Sequence, residues 1–160
     1  MKHPAPTPQP ATSTPPVSDE TLREFMGYHM KRAFNVVQAD LSLTLKPFGL
    51  RMLTYSALVL IVDNPGLSQS QLAAAMDVER PNLVVIIDAL EQRALIIRER
   101  VPTDRRAYAL MATLAGRQLY DKAIAAVKAH EERVFLDIDK DTRKTVIAAM
   151  QLIQNRSFGS

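Results

Sequence analysis

The chain has 160 residues, 47% of them hydrophobic, which suits a single domain with one sizeable core. Lys and Arg number 20 against 17 Asp and Glu, a net charge of +3 that is far from a polycationic packaging protein. Cysteine is absent, so disulfide frameworks, thiolate-held zinc or iron–sulfur clusters and thiol chemistry are all excluded.

Residues 1–17 read MKHPAPTPQPATSTPPV, with six prolines among the first sixteen and no apolar core, so a secretory signal is not expected here. They are expected to form a disordered, partly polyproline II tail, either a solvated leader or a short extra contact for DNA or a partner. A single domain is expected over 18–156. Apolar runs such as Ala57–Val62 stop at six residues. About 18 are needed to span a bilayer, so no membrane partner is expected and a cytoplasmic protein is.

A first helix is predicted over about 19–46, capped by Ser18, with Asp19 and Glu20 at its positive end and Val17 stapled to Leu22. Leu22, Phe25, Met26, His29, Ala33, Val36, Val37 and Leu41 recur at helical spacing. Pro47 and Gly49 end it. The stretch Arg51–Asp63, apolar nearly all round, predicts a second, buried helix. Asn64-Pro65-Gly66 then breaks the chain.

Ser68 and Gln71 make a capping box for a short helix over 68–76, with Leu67 and Leu72 as its staple. Pro81 suits the first position of a following helix, whose Leu83, Ile86, Ile87 and Leu90 share one side. Two short helices joined by a tight turn make a helix-turn-helix candidate. Residues 95–101 and 107–111 read as two strands joined by the polar turn 102–106, a β-hairpin. Thr113 caps a long helix to about 136, with Tyr120, Ala123, Ile124, Val127 and Val134 as its apolar positions. A last helix, about 140–155, carries Val146, Met150 and Ile153. The expected fold is therefore mainly α (α+β), a winged helix-turn-helix lobe at about 48–112. It lies between terminal helices, about 19–46 and 114–155, whose uncovered stripes predict a homodimer.

Leu90-Glu91-Gln92-Arg93-Ala94-Leu95-Ile96, Arg98, Asp104-Arg105-Arg106-Ala107, Ala112-Thr113 and Gly116 follow one another without gaps. In these motifs the sequence resembles the MarR family of bacterial transcriptional regulators over roughly 19–155. Ala94 stands where glycine is usual and Ala112 where leucine is usual. The resemblance implies a homodimer on a pseudo-palindromic operator, with effectors bound between the dimerisation helices and the DNA-binding lobe.

The residues themselves point to the same chemistry. Arg105 and Arg106 at a hairpin tip suit the narrow, negative minor groove, and Asp104 can orient one of them. Alone, such a turn could equally be a solvated ion pair. Arg80, Asn82 and Val85 can meet guanine, adenine and a thymine methyl, although Arg80 and Asn82 can also act as helix caps. Ser68 and Gln69 can offer a hydroxyl and amides to phosphate, or Ser68 can simply cap its own helix. Arg98 can reach a phosphate or pair with a carboxylate. Met26, His29, Arg51, Met52 and Tyr55 are candidates to line an effector pocket, most simply for an aromatic acid or its coenzyme A thioester. Each of them could instead be core, and Arg51 surface.

No catalytic or metal residues are predicted and no cofactor is expected: His3, His29 and His130 are scattered, and Asp137, Asp139 and Asp141 lack the rest of a calcium loop. The expected function is a repressor released by a small effector. The alternatives are a protein-interaction module, a constitutive repressor or, last, an enzyme.

Overall fold

The computed structural model describes residues 17–101 and 104–156, with backbone only for 101 and 104–107. The expected tail at 1–16 lies outside the described residues. The chain divides into two compact units, one up to Phe34 and one from Asn35.

In the first unit a 3-10 turn, Leu22–Glu24, precedes helix α1 (Met26–Leu45). The predicted start at 19 is thus corrected. Phe25 is extended (φ −103°, ψ 126°) and interrupts the helix. Val17 and Leu22 both stand exposed, so the expected staple does not form. Asp19 turns instead to a local network, accepting from Arg23 Nε at 2.7 Å and from the Tyr28 hydroxyl. These bonds hold its carboxyl at about 2, well below the usual range.

In the second unit α1 ends near Pro47, followed by a 3-10 turn and Gly49 at φ +62°. Helix α2 (Met52–Asp63) buries Ala57, Leu58 and Ile61, but Leu53 is exposed, so it is not covered on every side. Strand β1 (Leu67–Ser68), α3 (Gln69–Met76) and α4 (Arg80–Gln92) follow. Then come β2 (Ile96–Val101), β3 (Asp104–Ala112), α5 (Leu114–Val134) and α6 (Lys140–Gln154).

The sheet is antiparallel in the order β1-β3-β2. Its two-residue edge strand β1, too short to show a period, pairs Leu67 with Leu110 and Ser68 with Ala109. The expected turn 102–106 is corrected at its second half, because β3 already starts at Asp104 and the register shifts between Arg100 and Val101, while 102 and 103 lie outside the described residues. The architecture is a helix-turn-helix followed by a β-wing. One core cluster joins α2, α3, α4, the sheet and Ala123 of α5.

Local chemistry explains the boundaries. Ser68 accepts from the Gln71 amide at 3.2 Å while the Gln71 side chain accepts from the Ser68 amide at 2.9 Å, the predicted capping box. Thr113 accepts from the Gly116 amide at 3.0 Å, and Asp139 caps α6 through the amides of Asp141 and Thr142. Gly116 is required by close approach, since a Cβ there would lie 2.0 Å from the Leu95 carbonyl oxygen. In α6 nothing is buried, and Val146, Ile147, Met150, Leu152 and Ile153 are all exposed.

Candidate nucleic-acid interface

The helix-turn-helix is held at both ends. Asp77 closes α3 in the left-handed region (φ 51°), which aspartate tolerates better than most side chains, and the Val78 amide donates back to Ala73 at 3.1 Å. Leu72 anchors α3 in the core, while Leu83, Ile86, Ile87 and Leu90 anchor α4. The helical period then sends Asn82 and Val85 outward; Val85 is 68% exposed although it is a large aliphatic residue.

Each predicted contact residue can now be located. Arg80, Asn82 and Val85 lie exposed along the first two turns of α4. Arg80 is not free: its Nη2 donates to the Ser70 hydroxyl at 2.8 Å, across the turn. Gln69 is half-buried in the first turn of α3. The Ser68 hydroxyl is engaged in its capping box, bonding to both the amide and the side chain of Gln71.

Arg98, on β2, pairs with Asp88 and, at 3.2 Å, with Glu91, both on α4. Its guanidinium thus ties wing to recognition helix, and its buried Nε has no partner among the described residues. Asp104, Arg105 and Arg106 begin β3 at the far end of the hairpin, where only the backbone is described. A cleft of about 550 Å³ separates the start of α3 from the wing.

Of the candidate effector residues, Met26 and His29 lie in the first unit, where Met26 is exposed and His29 Nε2 donates to the Arg23 carbonyl at 2.8 Å. Arg51, Met52 and Tyr55 lie in the second. Arg51 is an exposed residue at the N-cap of α2, where Thr54 closes the turn on its backbone. Met52 and Tyr55 are half-buried. Burial pushes the Tyr55 phenol above its ordinary value, with the carboxylates of Glu131 and Asp63 adding to the effect. Close by in the fold, Tyr120 donates to Asp63 at 2.9 Å.

Two arrangements were not foreseen. His130, 1% exposed, donates through Nδ1 to Asp40 at 2.6 Å, and Arg133 pairs with the same carboxylate. The hydrogen bonds from His130 and Arg133 hold Asp40 below the usual carboxylate range. Arg93 donates to the carbonyls of Gly49 and Phe48 at 2.7 and 2.9 Å, clasping the end of α4 to the chain before α2. Ninety residues separate the first pair and 44–45 the second. No local motif announces either.

Comparison with known proteins gives the same architecture. The sequence profile of the MarR family matches residues 48–107. A Thauera aromatica protein, named for a role as transcriptional regulatory protein of the hcr operon, is 34% identical over 127 residues. That match spans 79% of this chain and 76% of the relative. The transcriptional repressor CouR bound to a 23-mer DNA duplex is 34% identical with a TM-score of 0.84, covering 88% of this chain and 99% of that one. CouR from Rhodococcus jostii RHA1 bound to p-coumaroyl-CoA is 33% identical with a TM-score of 0.77, covering 87% and 98%.

Proposed function

The chain belongs to the MarR family of transcriptional regulators, and from that premise we propose that it is a homodimeric repressor released from its operator by a small aromatic acid or its coenzyme A thioester. The observation that carries DNA binding is α4, whose aliphatic side is sealed into the core while Arg80, Asn82 and Val85 face outward. The hairpin beside it carries the Arg105-Arg106 pair. A recognition helix in the major groove with a basic wing reaching along the backbone uses every one of these groups. Ser68, engaged in its cap, acts by its backbone, and Arg98 acts by orienting the wing.

Dimerisation follows from α6, whose five exposed apolar residues make a stripe that a second copy of the chain would cover. Light scattering should give twice the 17.8 kDa chain mass, and a mass of 17.8 kDa would refute the dimer.

The effector reading is supported by the CouR structure with p-coumaroyl-CoA and by the half-buried Met52 and Tyr55 beside the cationic Arg51. An effector acts only through its differential affinity for the DNA-competent and incompetent states, and typical coupling of about 1–3 kcal/mol would weaken DNA binding roughly 5- to 150-fold. The test is to titrate aromatic acids and their thioesters against the DNA complex of the full chain. Release by one compound, blunted in Arg51→Ala or Tyr55→Phe, supports the reading. Failure of a broad panel leaves a constitutive repressor. Met26→Ala and His29→Ala test the two N-terminal candidates independently.

A further inference from the structure

The cleft between α3 and the wing is lined by Gln69, Ser70, Arg80, Leu83, Val84 and Tyr108 among others, and among the described residues no lining side chain is a carboxylate. Its polar groups are one guanidinium, hydroxyls and an amide. Its apolar groups are Leu83, Val84 and the Tyr108 ring. An anion joined to an apolar body suits such a lining, and a neutral or cationic ligand does not.

The notable feature is Arg80. It opens α4, while Ser70 lies in the first turn of α3, ten residues earlier. An exposed arginine usually samples many rotamers, and docking it on a target costs that freedom. Here one N–H is already given to Ser70 at 2.8 Å, and the other donors of the rigid fork, which meet no acceptor among the described residues, are left for an incoming one. The Ser70 hydroxyl accepts from Arg80, so its own proton remains to be donated. Tyr108, on β3, comes to the same cleft from the wing and is part-exposed.

We propose that Ser70 is a positioning residue for operator recognition, holding Arg80 over the cleft, and that Tyr108 grips the same DNA strand from the wing side. The occupant is one sugar–phosphate segment. Its phosphate meets Arg80 and the Ser70 and Tyr108 hydroxyls, and its deoxyribose or a thymine methyl lies against Val84. This inference rests on the DNA-binding reading above and assigns roles to two residues that reading does not use.

The test uses the full chain and a labelled duplex that the chain itself selects from a random-sequence pool, with affinity measured at several salt concentrations. Loss of a single hydrogen bond at the interface corresponds to on the order of three- to tenfold in affinity. Ser70→Ala should weaken binding by that factor, leave thermal unfolding unchanged, and have a smaller effect once Arg80→Ala is present, where only its own bond to the phosphate is left to lose. Ser70→Thr should restore wild-type affinity.

Arg80→Ala should flatten the dependence of log affinity on log salt by about one unit, and Tyr108→Phe should weaken binding without altering that slope. The positioning role is overturned if Ser70→Ala costs nothing, or costs the same with and without Arg80. Wild-type affinity in Tyr108→Phe overturns the grip. If the wild-type chain selects no duplex, the DNA-binding reading falls and takes this inference with it. If it selects one and the variants match it, only the inference falls.

Discussion

Replacing Ala94 by glycine should stabilise the protein. Ala94 has φ +53°, in the left-handed region, at the end of the recognition helix. Its amide donates to the Glu91 carbonyl at 2.8 Å, and the Leu95 amide donates to Leu90 at 3.0 Å. Those two bonds are the paired closure in which the position after the C-cap is usually glycine. The Ala94 carbonyl also accepts from the Thr113 hydroxyl at 2.7 Å, so the backbone is held from both sides and cannot relax into the right-handed region.

A left-handed conformation costs an L-residue about 1–2 kcal/mol, and glycine escapes that cost but loses about 0.5–1 kcal/mol more backbone entropy on folding. Ala94 is exposed, so its methyl contributes little burial. The net expectation is a gain of about 0.5–1 kcal/mol, or roughly 1–4 °C in Tm for a chain of this size. Urea unfolding of wild type and Ala94→Gly at one fixed protein concentration measures it, because the stability of a dimer depends on concentration. Ala94→Val, which adds a β-branch to the same conformation, should destabilise. An Ala94→Gly variant no more stable than wild type would refute the argument that this turn is strained.

At Gly116 the opposite holds: alanine would place a methyl 2.0 Å from the Leu95 carbonyl oxygen, forcing α5 away from the wing, and should cost about 3 kcal/mol or more in thermal or urea unfolding. Asp40→Asn should lower the urea midpoint at neutral pH, because buried His130 loses its charged partner. Asp40 has a lowered pKa in the folded chain, so its contribution is complete above the ordinary aspartate value of 3.8 and is lost as pH falls through the lower folded value. The stability gap between wild type and Asp40→Asn should therefore narrow in acid; a gap constant from pH 7 to pH 2 would contradict this.

What the sequence made legible is what short-range rules govern. The Ser68–Gln71 box, the Thr113 cap and the buried side of α4 are each set by residues within one or two turns, and all stand where the pattern puts them. The start of α1 differs from the pattern because apolar spacing continues through Phe25, whereas the Asp19 network and the extended Phe25 backbone decide the boundary. Strand β1, at two residues, is defined only by its pairing with β3. In the candidate interface, residue types and exposure were readable from the α4 period. The Arg80–Ser70 bond, the Arg98 pairing with α4 and the Asp40–His130–Arg133 cluster depend on which faces meet in three dimensions, and spacing along the chain does not encode that.

The central claim is that this chain reads a DNA sequence through α4 and the wing. Selection of duplexes from a random pool by the full-length protein, followed by affinity measurement on the winner and on a scrambled duplex at one salt concentration, tests it most directly. The expected winner is a pseudo-palindrome with half-site centres roughly 10 base pairs apart, bound at least about 10³-fold more tightly than the scrambled duplex. A pool that never converges, with equal affinity for every duplex and the steep salt dependence of pure phosphate contact, would contradict it.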